Sequence, residues 1–262
     1  MSTPTVGRAV GHGALAGAVA GLAGAAIMYF LVEPSIKAAI AIEEASTKAS
    51  EAAGHVHMSD EIVTRGEQVA FGLLTVLVVS TLIGVAFALV LRSLGRRLTD
   101  RDGPGAAMTA AGLGFLCFTL APALVIPANP PSVGDPATVD ARTLTYIGTI
   151  VCALALTTLV VAASRARGLS PRNRVLAATA LGVLGVLVLR FAIPDTSSAI
   201  PADVPADLIW KFRLGSLAEI GSMWLVMAAA YGWLSAAPTR SGVPADPVRT
   251  HEVTPAGNPP RA

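Results

Sequence analysis

Residues 11–32 read GHGALAGAVAGLAGAAIMYFLV, an apolar run that is long enough to cross a bilayer as an α-helix. Small residues recur in it at or near every fourth position, which lets a transmembrane helix approach its neighbours closely. The glycines of this pattern are Gly13, Gly17, Gly21 and Gly24. The run exceeds the apolar core of a signal peptide, which spans roughly 7–15 residues. The stretch therefore predicts an uncleaved first span that packs at the centre of a helix bundle.

Five further apolar runs follow, at about 69–91, 107–126, 144–163, 175–193 and 213–235. Of the 262 residues, 53% are hydrophobic and 14% are charged, whereas soluble domains carry roughly 25% charged residues. We therefore predict an all-α fold, a polytopic membrane helix bundle of about six transmembrane helices set in a lipid bilayer. The bundle would form a single domain over residues 1–236. Residues 237–262 are proline-rich, polar and aperiodic, which predicts a disordered tail.

Basic residues between the runs predict how the bundle is oriented. The loops around 92–101 and 165–174 carry four arginines each, and short arginine-rich loops stay on the cytoplasmic side. Both termini, and the tail with them, would then be cytoplasmic, and segment 33–67 would face outward. We expect a multi-pass protein of the plasma membrane.

The outward segment is the most polar internal part of the chain. It begins with Glu33-Pro34, which predicts the start of an amphipathic outer helix with proline in its first turn. Glu33 and Glu44 each have a lysine four residues later, so an ion pair on the helix surface would account for both. Glu43 has no such partner and shares a helix face with isoleucines, which makes it the better functional candidate.

Two histidines, His55 and His57, follow this predicted helix. Imidazole and carboxylate together are ligands that suit a borderline divalent cation. His55, His57 and Glu43 are therefore expected to collect a metal ion outside the membrane. The alternative is that both histidines are solvated loop residues.

A second candidate site lies inside the sixth apolar run. Trp210 and Trp233 bracket this run at a helical separation of about 34 Å, close to the thickness of a bilayer core. Tryptophan favours the two membrane interfaces, so Glu219 would lie about 13 Å inside. An ionisable side chain there is by default a functional candidate. Either it serves a permeating ion, or it balances Arg190 or Arg213 across the bundle.

Motifs of nucleotide-binding proteins and hydrolases are missing from the sequence. There is no G-x-x-x-x-G-K-[ST], no H-E-x-x-H and no G-x-S-x-G. The net charge of +2 does not indicate nucleic acid, and two cysteines cannot form a disulfide framework or a zinc cluster. We expect no enzyme, no nucleotide site and no permanently bound cofactor.

Three short motifs follow one another along the chain. They are E-P-x-I-x-x-A-I-x-x-E-E-A at 33–45, P-A-N-P-P-x-V-G-D-P at 127–136 and P-A-D-L-I-W-K-F-R-L-x-S-L at 205–217. With these motifs, the chain from about residue 10 to 235 resembles the CbtA family of predicted cobalt transporter subunits. The resemblance implies a membrane subunit for cobalt uptake, linked to cobalamin biosynthesis, and a small single-span, His-rich partner of the CbtB type. It also implies five spans, and it implies functional positions at Glu33, Glu43, Glu44, Asn129, Asp135, Trp210 and Arg213.

The leading hypothesis is inward passage of Co²⁺ or a similar divalent metal, with the ion as cargo. The expected metal ligands are Glu33, Glu43, Glu44, His55, His57 and Glu219. Further functional candidates are Asn129, Asp135, Arg190, Trp210 and Arg213. The alternatives are a non-transporting membrane scaffold or accessory subunit, and a permease for an organic solute. The proline-rich stretch 121–136 is expected to be an ordered outer loop or a short re-entrant segment.

Overall fold

The computed structural model describes residues 5–52, 63–99, 101–131, 133–194, 196 and 199–236, and within these ranges it contains helices and no strand. Two π turns interrupt the helices, the first at Met28–Val32 and the second at Leu116–Leu120, and a 3₁₀ turn covers Pro136–Thr138. The α-helices are α1 (Val6–Ile27), α2 (Glu33–Ala52), α3 (Arg65–Leu98), α4 (Pro104–Phe115), α5 (Ala121–Val125), α6 (Val139–Ser164), α7 (Pro171–Phe191) and α8 (Ala206–Ala236).

Six helical segments in the described part of the chain are long and apolar enough to cross a membrane. Each corresponds to one of the apolar runs, so the predicted all-α polytopic bundle is confirmed, with six candidate spans rather than the five implied by the resemblance. The segments are Val6–Ala49, Arg65–Gly95, Pro104–Val125, Pro136–Ser164, Pro171–Phe191 and Ala206–Ala236. The predicted tail, 237–262, lies outside the described residues.

Successive spans run in opposite directions, so the bundle has two ends. We call the Glu33 end the layer that contains Glu33, Arg65, the loop 126–135 and the start of α8. The opposite layer is called the terminal end. There Pro104, at the start of α4, lies against Gly232, near the end of α8.

The first span does not stop where the sequence suggested. The predicted helix start at Glu33-Pro34 is present, since α2 begins at Glu33, but this helix is not separate, because α1, the first π turn and α2 form one continuous rod. Its candidate span alone, Val6–Ala49, contains 44 residues. At 1.5 Å per residue that is about 66 Å, roughly twice the thickness of a bilayer core. Part of the rod therefore extends beyond the membrane.

Each π turn ends two residues before a proline, Pro34 in one case and Pro122 in the other. Proline lacks the N–H that would bond the carbonyl four residues earlier, and its ring clashes with that carbonyl in a regular α-helix. A wider π turn is one way in which a helix accommodates such a disturbance. Behind Pro122, the carbonyl of Phe118 accepts a hydrogen bond from Tyr146 Oη at 3.2 Å. The chain thus passes both prolines without ending the helix.

The bundle core joins α1, α3, α4 and α8, and α1 contacts both α3 and α8 extensively. Glycines of α1 make the closest approach, since a Cβ atom on Gly17 would lie 2.8 Å from Thr81 Cα and one on Gly84 would lie 2.7 Å from Gly17 Cα. Ser80 Oγ also donates to the Gly17 carbonyl at 2.8 Å. The prediction of a central, glycine-packed first span is confirmed.

Helices α6 and α7 form a hairpin at the side of this core. The hairpin packs on α5 and the second π turn, where Cys117 Sγ lies 3.0 Å from Thr157 Oγ1. An apolar cavity of about 230 Å³ lies between the hairpin and the third span. Most large apolar side chains of the hairpin are exposed, which leaves apolar surface for lipid or another chain to cover.

The loop 126–135 closes the Glu33 end. Pro130 is fully buried, and Val133 packs in one cluster with Ala39 of α2 and with Leu208 and Ile209 of α8. The predicted ordered loop is confirmed, and it links α2 to the start of the last span.

Candidate functional site

Glu33 is the buried acidic residue of the part that the structure describes, with 4% of its side chain exposed. Arg65 Nη2 donates to both carboxylate oxygens, at 2.7 Å to Oε1 and 2.8 Å to Oε2. The lysine expected as its partner, Lys37, is also present, but its Nζ lies 3.9 Å away. The main counter-ion of Glu33 thus comes from the first residue of α3, at the same end of the bundle.

Glu43 and Glu44, in the middle of α2, face solvent. Glu44 pairs with Lys48 at 3.9 Å, as predicted, and both side chains are exposed. Glu43 is exposed and makes no ion pair among the described residues. Ile36 and Ile40, which share its helix face, pack around Phe212 of α8. Glu33 lies about 15 Å along the helix from Glu43, so the three glutamates do not form one cluster.

The predicted outer histidines, His55 and His57, fall outside the described residues. Within the described ranges, no three His, Cys, Asp or Glu side chains come together as a metal site. The grouping of His55 and His57 with Glu43 therefore stays a prediction.

Hydrogen bonds of Arg213 join α8 to Asn129 and Ala128 in the loop 126–135. Arg213 Nε donates to the Ala128 carbonyl at 3.0 Å, and Nη2 donates to Asn129 Oδ1 at 2.9 Å. Asp135 serves the same loop locally, since its Oδ1 accepts from the Ala137 N–H at 2.8 Å. These residues hold the loop in place.

Two more candidates lie on the surface of the bundle. Trp210 is exposed at the start of α8 and Trp233 near its end, and their place at two membrane interfaces stays a prediction. Arg190 is exposed on α7, and its guanidinium carbon lies 5.6 Å from the centroid of the Phe191 ring. Arg190 forms no ion pair with Glu219 among the described residues.

Glu219 is partly buried in the middle of α8, and its carboxylate has no hydrogen bond or ion pair with any described residue. The alternative that it balances Arg213 is wrong, because that guanidinium is bound to the loop 126–135. Pairing with Arg190 is also absent. Nothing in the described chain neutralises this carboxylate, although it lies far from both ends of a membrane span.

The neighbours of Glu219 on α8 show what it faces. Four residues before it, Gly215 packs on Val32 of the first π turn; four residues after it, Met223 packs on Gly24 of α1. Glu219 therefore lies level with the start of the first π turn. On the other side of α8, Trp224 stacks on Phe118 of the second π turn and donates its Nε1–H to Thr119 Oγ1 at 3.3 Å. Both irregular turns thus flank the part of α8 that carries Glu219.

Hydrophobic layers lie on either side of this level. Toward the Glu33 end, Val32, Ile36 and Phe212 form a buried cluster. Toward the terminal end, alanines of four helices pack with Phe87 and Tyr231. Glu219 thus lies between two apolar clusters along the bundle.

Sequence reasoning missed Arg65 as the partner of Glu33, and Thr119 as the partner of Trp224. A signal for the first existed, because an acid that ends one span and a base that begins the next must lie at the same end of the bundle. No comparable signal marked the π turns, since Glu33-Pro34 reads equally well as a helix start.

A family model for probable cobalt transporter subunits, CbtA, matches residues 6–236. No curated protein and no solved structure matches the chain. The match covers all six candidate spans, including Glu33, Arg65 and Glu219. The chain belongs to the CbtA family of probable cobalt transporter subunits.

Proposed function

We propose that this subunit carries Co²⁺, or a similar divalent metal, inward across the plasma membrane. The observation that carries the proposal is the Glu219 carboxylate, which lies within a candidate span without a partner among the described residues. Ionisable groups in membrane spans are rare and by default indicate ion or proton pathways, and no described ion pair gives this one a purely structural role. The π turn beside Glu219 adds support, because π turns inside α-helices are frequent at functional sites.

In this proposal the ion enters at the Glu33 end and leaves at the terminal end, where both termini are cytoplasmic. Glu43, Glu44, His55 and His57 would raise the local concentration of the metal outside. Carboxylate and imidazole bind Co²⁺ with intermediate strength, which allows release as well as capture. Asn129, Asp135 and Arg213 would hold the loop that frames the entrance.

The chain has no nucleotide-binding motif, so its driving force would come from elsewhere. The membrane potential supplies about 2.3 kcal/mol per elementary charge per 100 mV, and a divalent cation collects about twice that. The family description, a transporter subunit, supports a second component. We propose a small single-span, His-rich chain of the CbtB type, with the metal passing on to cobalamin biosynthesis and no enzymatic step in this chain.

Cobalt uptake by cells that express Glu219→Gln tests the proposal. The substitution keeps the size and removes the charge, and no described ion pair is broken, so we expect normal expression with uptake at least tenfold below wild type. Glu67→Gln is the matched control, since Glu67 caps α3 together with Thr64 and glutamine can serve in the same capping box.

Normal expression together with normal cobalt uptake in Glu219→Gln would remove Glu219 from the pathway. A wild-type chain that takes up no cobalt with its partner present would favour the scaffold or organic-solute alternatives. Poor expression of Glu219→Gln that is rescued by a second change, Arg190→Gln or Arg213→Gln, would restore the ion-pair interpretation of Glu219.

A further inference from the structure

The ion pair at the Glu33 end joins a buried carboxylate to a guanidinium that is only partly satisfied. One nitrogen of Arg65, Nη2, contacts both oxygens of Glu33, and Nη1 donates to Gln68 Oε1 at 3.0 Å. The remaining donor, Nε, is buried without a partner. A buried donor without an acceptor disfavours the arrangement that contains it. Arg65 therefore fills the space in front of Glu33 without being held by all of its donors.

The two side chains differ in how far they are from water. Glu33 is 4% exposed, whereas 35% of the Arg65 side chain is exposed. If the pair separates, the guanidinium can move outward into solvent, but the carboxylate stays inside the bundle. A buried carboxylate stays ionised only with a cation close by. Besides Arg65, the structure places Lys37 Nζ 3.9 Å from Glu33 Oε1, and a metal ion that took the place of Arg65 would supply the charge that the guanidinium gave.

Glu33 is also close to Glu219 along the bundle. The residue before it, Val32, packs on Gly215, which lies one helical turn from Glu219 on α8. Glu33 lies one residue beyond that level, so the two residues are separated by roughly 7.5 Å along the helix axis. One faces a resident cation, and the other has no partner in the described chain. A cation at Glu33 would lie within two helical turns of Glu219, with the apolar cluster of Val32, Ile36 and Phe212 on that side of Glu219.

We propose that Glu33 is the capture site for the divalent cation and that Arg65 is its resident competitor, which the arriving ion displaces into solvent. The identity of the cation rests on the proposed function. Arg65 keeps the buried carboxylate neutralised between ions and lowers the apparent affinity for metal. Since apparent affinity falls with the fraction of sites in the competent state, a pair that is formed more than about nine-tenths of the time weakens binding at least tenfold.

Titration of Co²⁺ into the purified full-length protein in detergent, followed by calorimetry, tests this proposal. We expect Arg65→Gln to tighten Co²⁺ binding at least tenfold, because the competitor is gone. Lys211→Gln is the matched control: it removes one positive charge at the same end, but its partner Asp207 is exposed. Binding by this control should stay within twofold of wild type. Glu33→Gln combined with Arg65→Gln should lose the tight site.

Unchanged or weaker Co²⁺ binding in folded Arg65→Gln would overturn the proposal. Where Arg65→Gln does not fold, Arg65→Lys is measured instead. We expect it to bind Co²⁺ at least threefold more tightly than wild type, because lysine pairs less closely with Glu33. If Arg65→Lys binds Co²⁺ as wild type does, or if neither variant folds, the Glu33–Arg65 pair is structural and the proposal is overturned. Binding is measured on the purified chain, so absence of uptake in cells would defeat the proposed function without deciding this one.

Discussion

Gly17 offers a sharp test of how the bundle is held together. Gly17→Ala adds one methyl group where α1 meets α3, and its carbon would lie 2.8 Å from Thr81 Cα and 3.1 Å from Gly84 Cα. Ordinary contact between carbon atoms is about 3.5–4.0 Å. The obstacles are backbone atoms, so the helices must separate by several tenths of an ångström or more.

The expected cost has two parts. Overpacking in a well-packed core costs about 1–3 kcal/mol. Separation also lengthens the hydrogen bond from Ser80 Oγ to the Gly17 carbonyl, now 2.8 Å, and such bonds between membrane helices average about 0.6 kcal/mol. We therefore expect Gly17→Ala to destabilise the protein by about 2 kcal/mol or more.

Gly11→Ala is the matched control, since it makes the same change in the same helix and an added Cβ there meets no atom within 4 Å. Unfolding of both variants in mixed micelles with increasing SDS, followed by tryptophan fluorescence, measures the difference. Gly11→Ala should be neutral or slightly stabilising, because alanine favours a helix over glycine. Equal unfolding midpoints for the two variants would refute the close packing of α1 on α3.

Two further predictions concern the orientation and the outer surface. His57→Cys in a cysteine-free background should react with an impermeant thiol reagent added outside the cell. Asp100→Cys and Ala245→Cys should react only after permeabilisation, because the arginine-rich loops stay cytoplasmic. Labelling of position 100 from outside would show that the predicted orientation is wrong. The double variant His55→Ala and His57→Ala should raise the external cobalt concentration for half-maximal uptake and leave the maximal rate nearly unchanged, because a capture site sets apparent affinity more than flux; an unchanged half-saturation would leave both histidines as solvated loop residues.

Electrostatic pairing shows where local sequence rules reach their limit. Spacing of four residues correctly indicated the Glu44–Lys48 pair, because both partners lie on one helix. The same rule found Lys37 for Glu33 but not Arg65, which comes from another helix and lies closer. The candidate partners for Glu219, Arg190 and Arg213, were proposed across the bundle and not from spacing. Neither forms the pair among the described residues, and Arg213 binds backbone and amide oxygens of the loop 126–135 instead.

The sequence alone determined that the chain is a six-span helical membrane protein with a glycine-packed first span, because a bilayer demands long apolar helices with internal hydrogen bonds and close approach demands small residues. It also singled out Glu219, since a charge inside an apolar run is visible without coordinates. Only the tertiary structure decided that α1 and α2 form one rod through a π turn, that Glu33 faces Arg65, and that Glu219 lies level with that turn. Each of these features depends on which helices are neighbours and on how each helix is rotated about its own axis. The hydropathy of the sequence specifies neither.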